Sequence, residues 1–237
     1  MNSGPSRAAA IDDAGQQSLS ALPGVGPVLA SALARLGLEQ VQDLWFHLPL
    51  RYEDRTRITP IRDLPMGERA QVERVVEAVE RGFRYRPQLK VAIGDDSKAT
   101  LLLRFFHFRR AQVEQLLPGV RLRCFGEVRM GQSGPEMVHP QYQRLHGDMP
   151  VAQDLTPVYP STEGLGQKRL ATLIAAALAR LPEDAQLELI PDALRQPLGL
   201  ASLREALLFV HRPPPQADVA QLLLGTHPAQ HRLAFEE

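Results

Sequence analysis

The 237-residue sequence holds one cysteine, Cys124, which excludes an internal disulfide and fits a reducing compartment. Phe, Trp and Tyr together make up only 5% of residues, so a cluster of rings in this chain is a local event. No apolar run approaches the roughly 20 residues that span a bilayer. The opening MNSGPSRAAAIDDAGQQS is polar and rich in small residues, without the apolar stretch of a secretory signal, so a cytoplasmic protein with no membrane contact is expected. Catalytic groupings are missing as well. Carboxylates are scattered, and no Ser/His/Asp or Cys/His set supports nucleophilic chemistry. His227 and His231 stand at i, i+4 without a third ligand or the glutamate of a zinc helix, so no metal site is expected.

What is present is enough apolar content, 44%, to bury a sizeable core in two or three compact units. The formal net charge is zero, but the charge is unevenly spread. Residues 64–145 carry 14 Lys/Arg against 9 Asp/Glu, whereas residues 146–237 carry 7 against 11. A basic middle within a neutral chain is a better guide to partners than the total.

Three textures follow one another. Residues 1–63 read as helical. Val28, Leu29, Ala32, Leu33 and Leu36 fall at the spacing of one helix face, Gly37 ends that helix, and Val41, Leu44, Trp45 and Leu48 mark another before Pro49. Before the first helix, Pro23-Gly24-Val25-Gly26-Pro27 reads equally as a phosphate clamp of the helix–hairpin–helix kind or as a tight turn between packed helices. In residues 64–146, QLKVAI and KATLLLRFF flank the turn Gly94-Asp95-Asp96-Ser97. The helix RRAQVEQLL then stops at Pro118-Gly119, and VRLRCFGEVRM and PEMVHPQYQRL form a further strand pair around Gln132-Ser133-Gly134. With one more strand in front, this is the order of a five-stranded OB-type β-barrel. That front element, QVERVVEAVERG, is ambiguous: its valines sit at helical spacing while their density favours a strand. Residues 147–237 read as helical again, with an amphipathic stretch ending at Pro182 and a Ser202/Glu205 capping box. The closing HRLAFEE is a helical pattern without a stop signal, as expected of a chain cut from a longer one. The expected fold class is α+β, a barrel flanked by helical segments at both ends.

One stretch concentrates the scarce rings. LLLRFFHFRRAQ, residues 101–112, places three Phe within four positions between Arg104 and the pair Arg109 and Arg110. On a strand, Leu101, Leu103 and Phe105 share one face and suit a core. Phe106 falls on the other face beside Arg104, where a ring could stack on a base and a guanidinium meet phosphate. Most phenylalanines are simply buried, so core packing is the competing reading for each of them.

The pieces LPGVGPVLASALARLGLEQVQDLWFHLPLRYEDRT, RFFHF, EMVHPQY, PVYPSTEGLGQKRL and HRLAFEE occur in this order from about Leu19 to the end. They are similar to the amino-terminal part of the RecG family, bacterial ATP-dependent DNA helicases that remodel stalled forks and branched junctions. The resemblance implies a helical start, an OB-fold wedge domain that contacts the junction, and a helical linker into a motor. It makes QVERVVEAV the first barrel strand, against its own periodicity. It also implies that an aromatic at the end of the LLLRFF strand stacks on bases where duplex arms part, and Phe106 is the matching position. Some relatives carry a second aromatic four residues further on, where Arg110 stands here. DNA contacts are therefore expected at Phe106, Arg104, Arg109 and Arg110. Arg84, Arg86, Lys90 and Arg129 are expected to follow the phosphate backbone, as are some of Arg121 and Arg123, although an exposed cation is more often only solvated. His139-Pro140 matches a family motif and is read as structural.

The motor of such a helicase needs G-x-x-x-x-G-K-[ST] and an acidic magnesium motif. Neither occurs, and Gly164-Leu165-Gly166-Gln167-Lys168-Arg169 lacks the spacing and the hydroxyl. The chain alone is thus expected to be catalytically silent and without a cofactor, with ATP and Mg²⁺ belonging to the motor. The expected partner is branched DNA, forks and Holliday junctions in recombination and repair, bound by a monomer. A second reading is a protein-interaction module in which RFFHF docks a partner such as a single-strand-binding protein tail. An enzyme reading ranks third.

Overall fold

The computed structural model describes residues 14–82, 87–94 and 99–235. They fall into two compact units: Asp54–Asp154, and the flanking residues up to Glu53 together with those from Leu155 onward. In the second of these, helix α1 (Pro27–Ala34) buries Ala32 and Leu33 with Leu29 packed beside them, but leaves Val28 88% exposed, so the expected apolar face begins at Leu29. Gly37 has φ +73°, a left-handed backbone that glycine adopts freely at a helix end. Helix α2 (Val41–Trp45) buries Val41, Leu44 and Trp45, and the short strand β1 (Arg51–Glu53) follows.

The unit Asp54–Asp154 is built on β2 (Arg69–Gly82), β3 (Gln88–Gly94), β4 (Thr100–Phe105), β5 (Arg121–Gly131), β6 (Gly134–Val138) and β7 (Gln141–Arg144). Helix α3 (Arg110–Gln115) lies between β4 and β5 in sequence. Strand β2 resolves the valine ambiguity. Val76 pairs with Ile93 and Ala78 with Ala92, so three residues on one strand oppose two on the other and Glu77 is extra. This bulge turns Val72, Val76 and Val79 toward one side, mimicking helical spacing on a strand.

Pairing runs β2–β3–β4–β6–β5, with β5 also paired to β2 and β7 added along β5. All pairs are antiparallel except β4 with β6. The strand expected from PEMVHPQYQRL is two strands. His139 has φ +48° and Pro140 has no N–H, so the ladder stops at Val138 and restarts at Gln141 against the other end of β5. The sheet therefore holds six strands where five were expected. Its core includes Leu101, Leu103, Phe105, Leu122, Val128 and Met137, joined by Ile61 and Leu64 from ahead of the first sheet strand.

The other unit resumes with β8 (Thr156–Val158), antiparallel to β1. It continues with α4 (Gln167–Leu178), α5 (Asp184–Leu187), α6 (Asp192–Arg195), α7 (Leu203–His211), α8 (Val219–Leu224) and α9 (Pro228–Leu233). Leu170, Leu173, Ile174 and Ala177 of α4 pack in one core with Leu33, Leu44 and Trp45, so the first and last helical segments share an interior. Trp45 Nε1–H donates to the Ala177 carbonyl at 2.8 Å. His211 bridges the buried polar groups, with Nε2 at 2.8 Å from the Trp45 carbonyl and Nδ1 at 2.9 Å from the Tyr159 hydroxyl. The capping box forms, Ser202 Oγ accepting from the Glu205 N–H and the Glu205 carboxylate from the Ser202 N–H. The Pro23–Pro27 turn is held against α4 by Arg169, which donates to the Gly24 carbonyl at 2.6 Å. Arg232 is fully buried and pairs with Glu188 at 2.7 Å. Among the described residues no helix is long and apolar enough to cross a membrane.

Candidate nucleic-acid interface

Strand parity is realised at the end of β4: Leu101, Leu103 and Phe105 are buried, and Phe106 emerges at 37% exposure. Two groups fix where it emerges. The first is His139. Arg104 pairs with Val138 in the parallel β4–β6 ladder, and the His139 N–H extends it by donating to the Arg104 carbonyl at 2.8 Å. The positive φ at His139, a region His tolerates better than most residues, then swings its ring over the strand end. There Nε2 accepts the Phe106 backbone N–H at 3.2 Å, which requires the imidazole proton on Nδ1. The ring centroid of His139 is 5.9 Å from that of Phe106, 5.9 Å from that of His107 and 6.0 Å from that of Phe105.

The second group is Arg104, whose guanidinium carbon lies 5.1 Å from the Phe106 ring centroid. Its Nη1 donates to both oxygens of Glu136, at 3.1 and 3.0 Å, and its Nη2 to Gln88 at 3.2 Å. Glu136 is 9% exposed, so releasing Arg104 to an outside anion would leave a buried carboxylate unpaired. Arg104 is thereby committed to holding the platform. Gly131 is part of the same arrangement, because a Cβ there would collide with the Glu136 carboxylate.

Register places further expected residues on this outer face. Lys90 of β3 lies opposite Arg104, and Arg129 of β5 lies opposite Glu136. Each has a nearby acid: Lys90 is 3.5 Å from Glu80, and Arg129 donates to both Glu127 oxygens at 2.9 Å. The hydrogen bond from Arg129 holds the Glu127 carboxyl below the usual carboxylate range. Arg110 pairs with Glu114 one helical turn on, at 2.9 Å. Exposed pairs of this kind contribute little, so phosphate can replace the carboxylate at small cost. Arg109 stands at the N-cap position of α3 without a side-chain capping bond, is exposed, and has no ion-pair partner among the described residues. Arg84 and Arg86 lie outside the described residues. Arg121 and Arg123 both clamp Glu73, the latter at 2.7 Å with only 12% of its side chain exposed, so that acid holds them as part of the sheet.

Beside the platform, a groove of about 830 Å³ runs along α3, lined by Phe106, His107, Phe108, Arg109, Gln112 and Tyr142. Phe108 is half-buried against the core. Tyr142 packs edge-on against Phe105, with centroids 5.8 Å apart, and burial pushes its hydroxyl pKa up. An exposed ring beside a cation, flanked by a groove with amide side chains, can take up a flat π system and the anions attached to it. Sequence reasoning missed Glu136 and the part His139 plays. The His139-Pro140 pair was the one available signal, since an X-Pro step within a strand pattern marks a break.

Fold and site define a class: an α+β chain whose sheet unit presents an arginine-backed aromatic platform at a strand end. The chain belongs to the RecG wedge domain family, whose model matches residues 20–181. It is 44% identical over 222 residues to the ATP-dependent DNA helicase RecG of Pasteurella multocida, and 46% identical over 222 residues to that of Escherichia coli K12. Each alignment covers 92% of this chain and 32% of the relative, so the chain spans about a third of the length of these proteins. Among solved structures, RecG bound to a three-way DNA junction matches all of this chain and 30% of that one, with a TM-score of 0.66 at 24% identity, a likeness of fold.

Proposed function

We propose that this chain is the part of a RecG-type helicase that recognises branched DNA and parts its strands. The observation that carries the reading is Phe106, a ring exposed at a strand end and held there from two sides. In this account the sheet unit is an OB-type barrel, which the return of β5 to β2 and the parallel β4–β6 pairing support. Duplex arriving at the platform meets a ring that stacks on the last base pair, while Arg110, Lys90 and Arg129 exchange acids for phosphates and Arg109, without an ion-pair partner among the described residues, takes up a phosphate directly. The wedge works passively as a monomer, and motion comes from a motor that binds ATP and Mg²⁺, for which this sequence has no phosphate loop.

Phosphate contacts alone favour any DNA in proportion to its charge. A stacking ring adds energy only where a base-pair face is uncovered. Forked DNA is therefore expected to bind more tightly than duplex of equal length by about 1–3 kcal/mol, roughly 5- to 150-fold. Titrations at several salt concentrations should show both affinities falling along similar slopes with the ratio retained. Phe106→Ala should collapse the ratio while leaving thermal stability nearly unchanged. Equal affinity for the two DNAs at every salt concentration would contradict the wedge. The groove beside Phe106 favours a second reading, docking of a partner peptide such as a single-strand-binding protein tail. Affinity for such a peptide should be nearly independent of salt.

A further inference from the structure

We infer that His139 is a positioning residue: its Nε2, accepting the Phe106 backbone N–H, sets the angle at which the ring leaves the sheet and so the preference for branched over continuous DNA. The inference rests on the stacking role proposed for Phe106 and adds a device that neither the ring nor the arginines supply.

The geometry separates His139 from an ordinary buried histidine. Beyond Phe105 the strand has ended, and the Phe106 N–H has no ladder partner of its own. A backbone donor at a strand end turns to water or to a side chain. Here the acceptor is an imidazole carried by the residue that terminates the neighbouring strand, and the same residue donates its own N–H to the Arg104 carbonyl. Two hydrogen bonds from one residue thus bracket the Arg104–Phe106 segment. His139 adopts φ +48°, the one non-glycine positive φ among the described residues. Such a backbone persists where surrounding contacts over-determine it, and functional sites collect such residues. The rings of Phe105, Phe106 and His107 all lie within 6.0 Å of the His139 ring, centroid to centroid, so the imidazole also fills the space behind the platform. Without the acceptor, the bond at the strand end would be lost and the ring would be free to turn toward the groove along α3.

Two substitutions separate the acceptor from the backbone. In His139→Gln, the side-chain oxygen is as many bonds from Cβ as Nε2 is, so it can accept the same N–H. In His139→Asn, the oxygen is one bond short, although Asn tolerates positive φ at least as well. The full chain of each variant is tested in two ways, alongside Phe106→Ala. Amide exchange at Phe106 should accelerate at least about fivefold in His139→Asn, as expected when a protecting hydrogen bond is lost, and stay near wild type in His139→Gln. The fork-to-duplex affinity ratio should follow the same order, falling at least about fivefold in the Asn variant and holding within about twofold in the Gln variant. Thermal melts of both are expected to remain cooperative, and a variant that unfolds is judged by the other against wild type.

Four outcomes overturn the inference. Unchanged exchange at Phe106 in His139→Asn would show that the bond does not hold the segment. Equal loss of the ratio in both variants would show that the ring matters and the acceptor does not. A ratio untouched in His139→Asn but lost in Phe106→Ala would leave the stacking role standing and remove His139 from it. If Phe106→Ala itself leaves the ratio unchanged, the stacking role falls and this inference with it.

Discussion

Phe105→Ala is expected to lower the stability of the unit Asp54–Asp154 by about 3–5 kcal/mol, the range for truncating a buried phenylalanine. Phe105 is 2% exposed. It stands at the closing end of the inward face of β4, after Leu101 and Leu103. It also makes two edge-to-face contacts, to Tyr142 and His139. Removing it deletes its own transfer energy, leaves a cavity, and withdraws support from both rings. The neighbouring Phe106 should give the opposite pair of phenotypes, weakened fork binding with near-normal stability. The single tryptophan, Trp45, sits in the other unit and does not report on this one. Amide exchange in β3 and β4 under increasing denaturant is the appropriate measurement. A loss below about 1 kcal/mol, small for any core deletion, would mean that the inward face is misassigned.

The second large effect is on pH. His211 is buried between Trp45 and Tyr159, and burial lowers its pKa from 6.5 to about 4, against the opposing pull of the Trp45 carbonyl. In the unfolded chain the imidazole takes up a proton near 6.5, whereas in the folded chain it stays neutral to about 4. Its contribution is therefore complete at alkaline pH and is lost as pH falls across that window. The loss is about 2 kcal/mol by pH 5 and about 3 kcal/mol by pH 4. His227, also lowered by burial, adds to the same trend. Glu188 acts further down: burial raises its pKa, but the N–H groups of Ile190 and Leu203 and the Arg232 guanidinium outweigh that and hold it low. Its stabilisation is thus lost only as pH falls below the ordinary carboxylate range. Denaturant titrations followed by Trp45 fluorescence, with its carbonyl bonded to His211, read this directly. Stability unchanged between pH 7 and pH 5 would show that His211 is not held neutral.

The features legible in the sequence are those with local causes. Alternation along β4 separated Leu101, Leu103 and Phe105 from Phe106 because period two is a property of any strand. The capping box at Ser202 and Glu205 was legible for the same reason, as were the apolar stripe of α4 and the positive φ at Gly37. The valines of β2 misled because a bulge at Glu77 adds one residue to the period, and nothing local announces it. PEMVHPQYQRL reads as one strand because the break at His139-Pro140 lies in a backbone φ of +48° that residue type alone does not show. The Glu136 partner of Arg104 lies 32 residues away, so an apparently available cation proved to be held internally. The shared core of the first and last helical segments is hidden likewise, since Trp45 and His211 are 166 positions apart.

Phe106 is proposed to cover the base pair at the branch. Iodouracil placed at single positions along a forked DNA, irradiated with the bound chain and mapped by peptide mass spectrometry, tests it most directly. The account predicts a crosslink to Phe106 when the probe sits at the branch point, and its loss when the probe is moved several pairs into the duplex. Crosslinks that fall after residue 164 at every probe position, with Phe106 unmodified throughout, would contradict it.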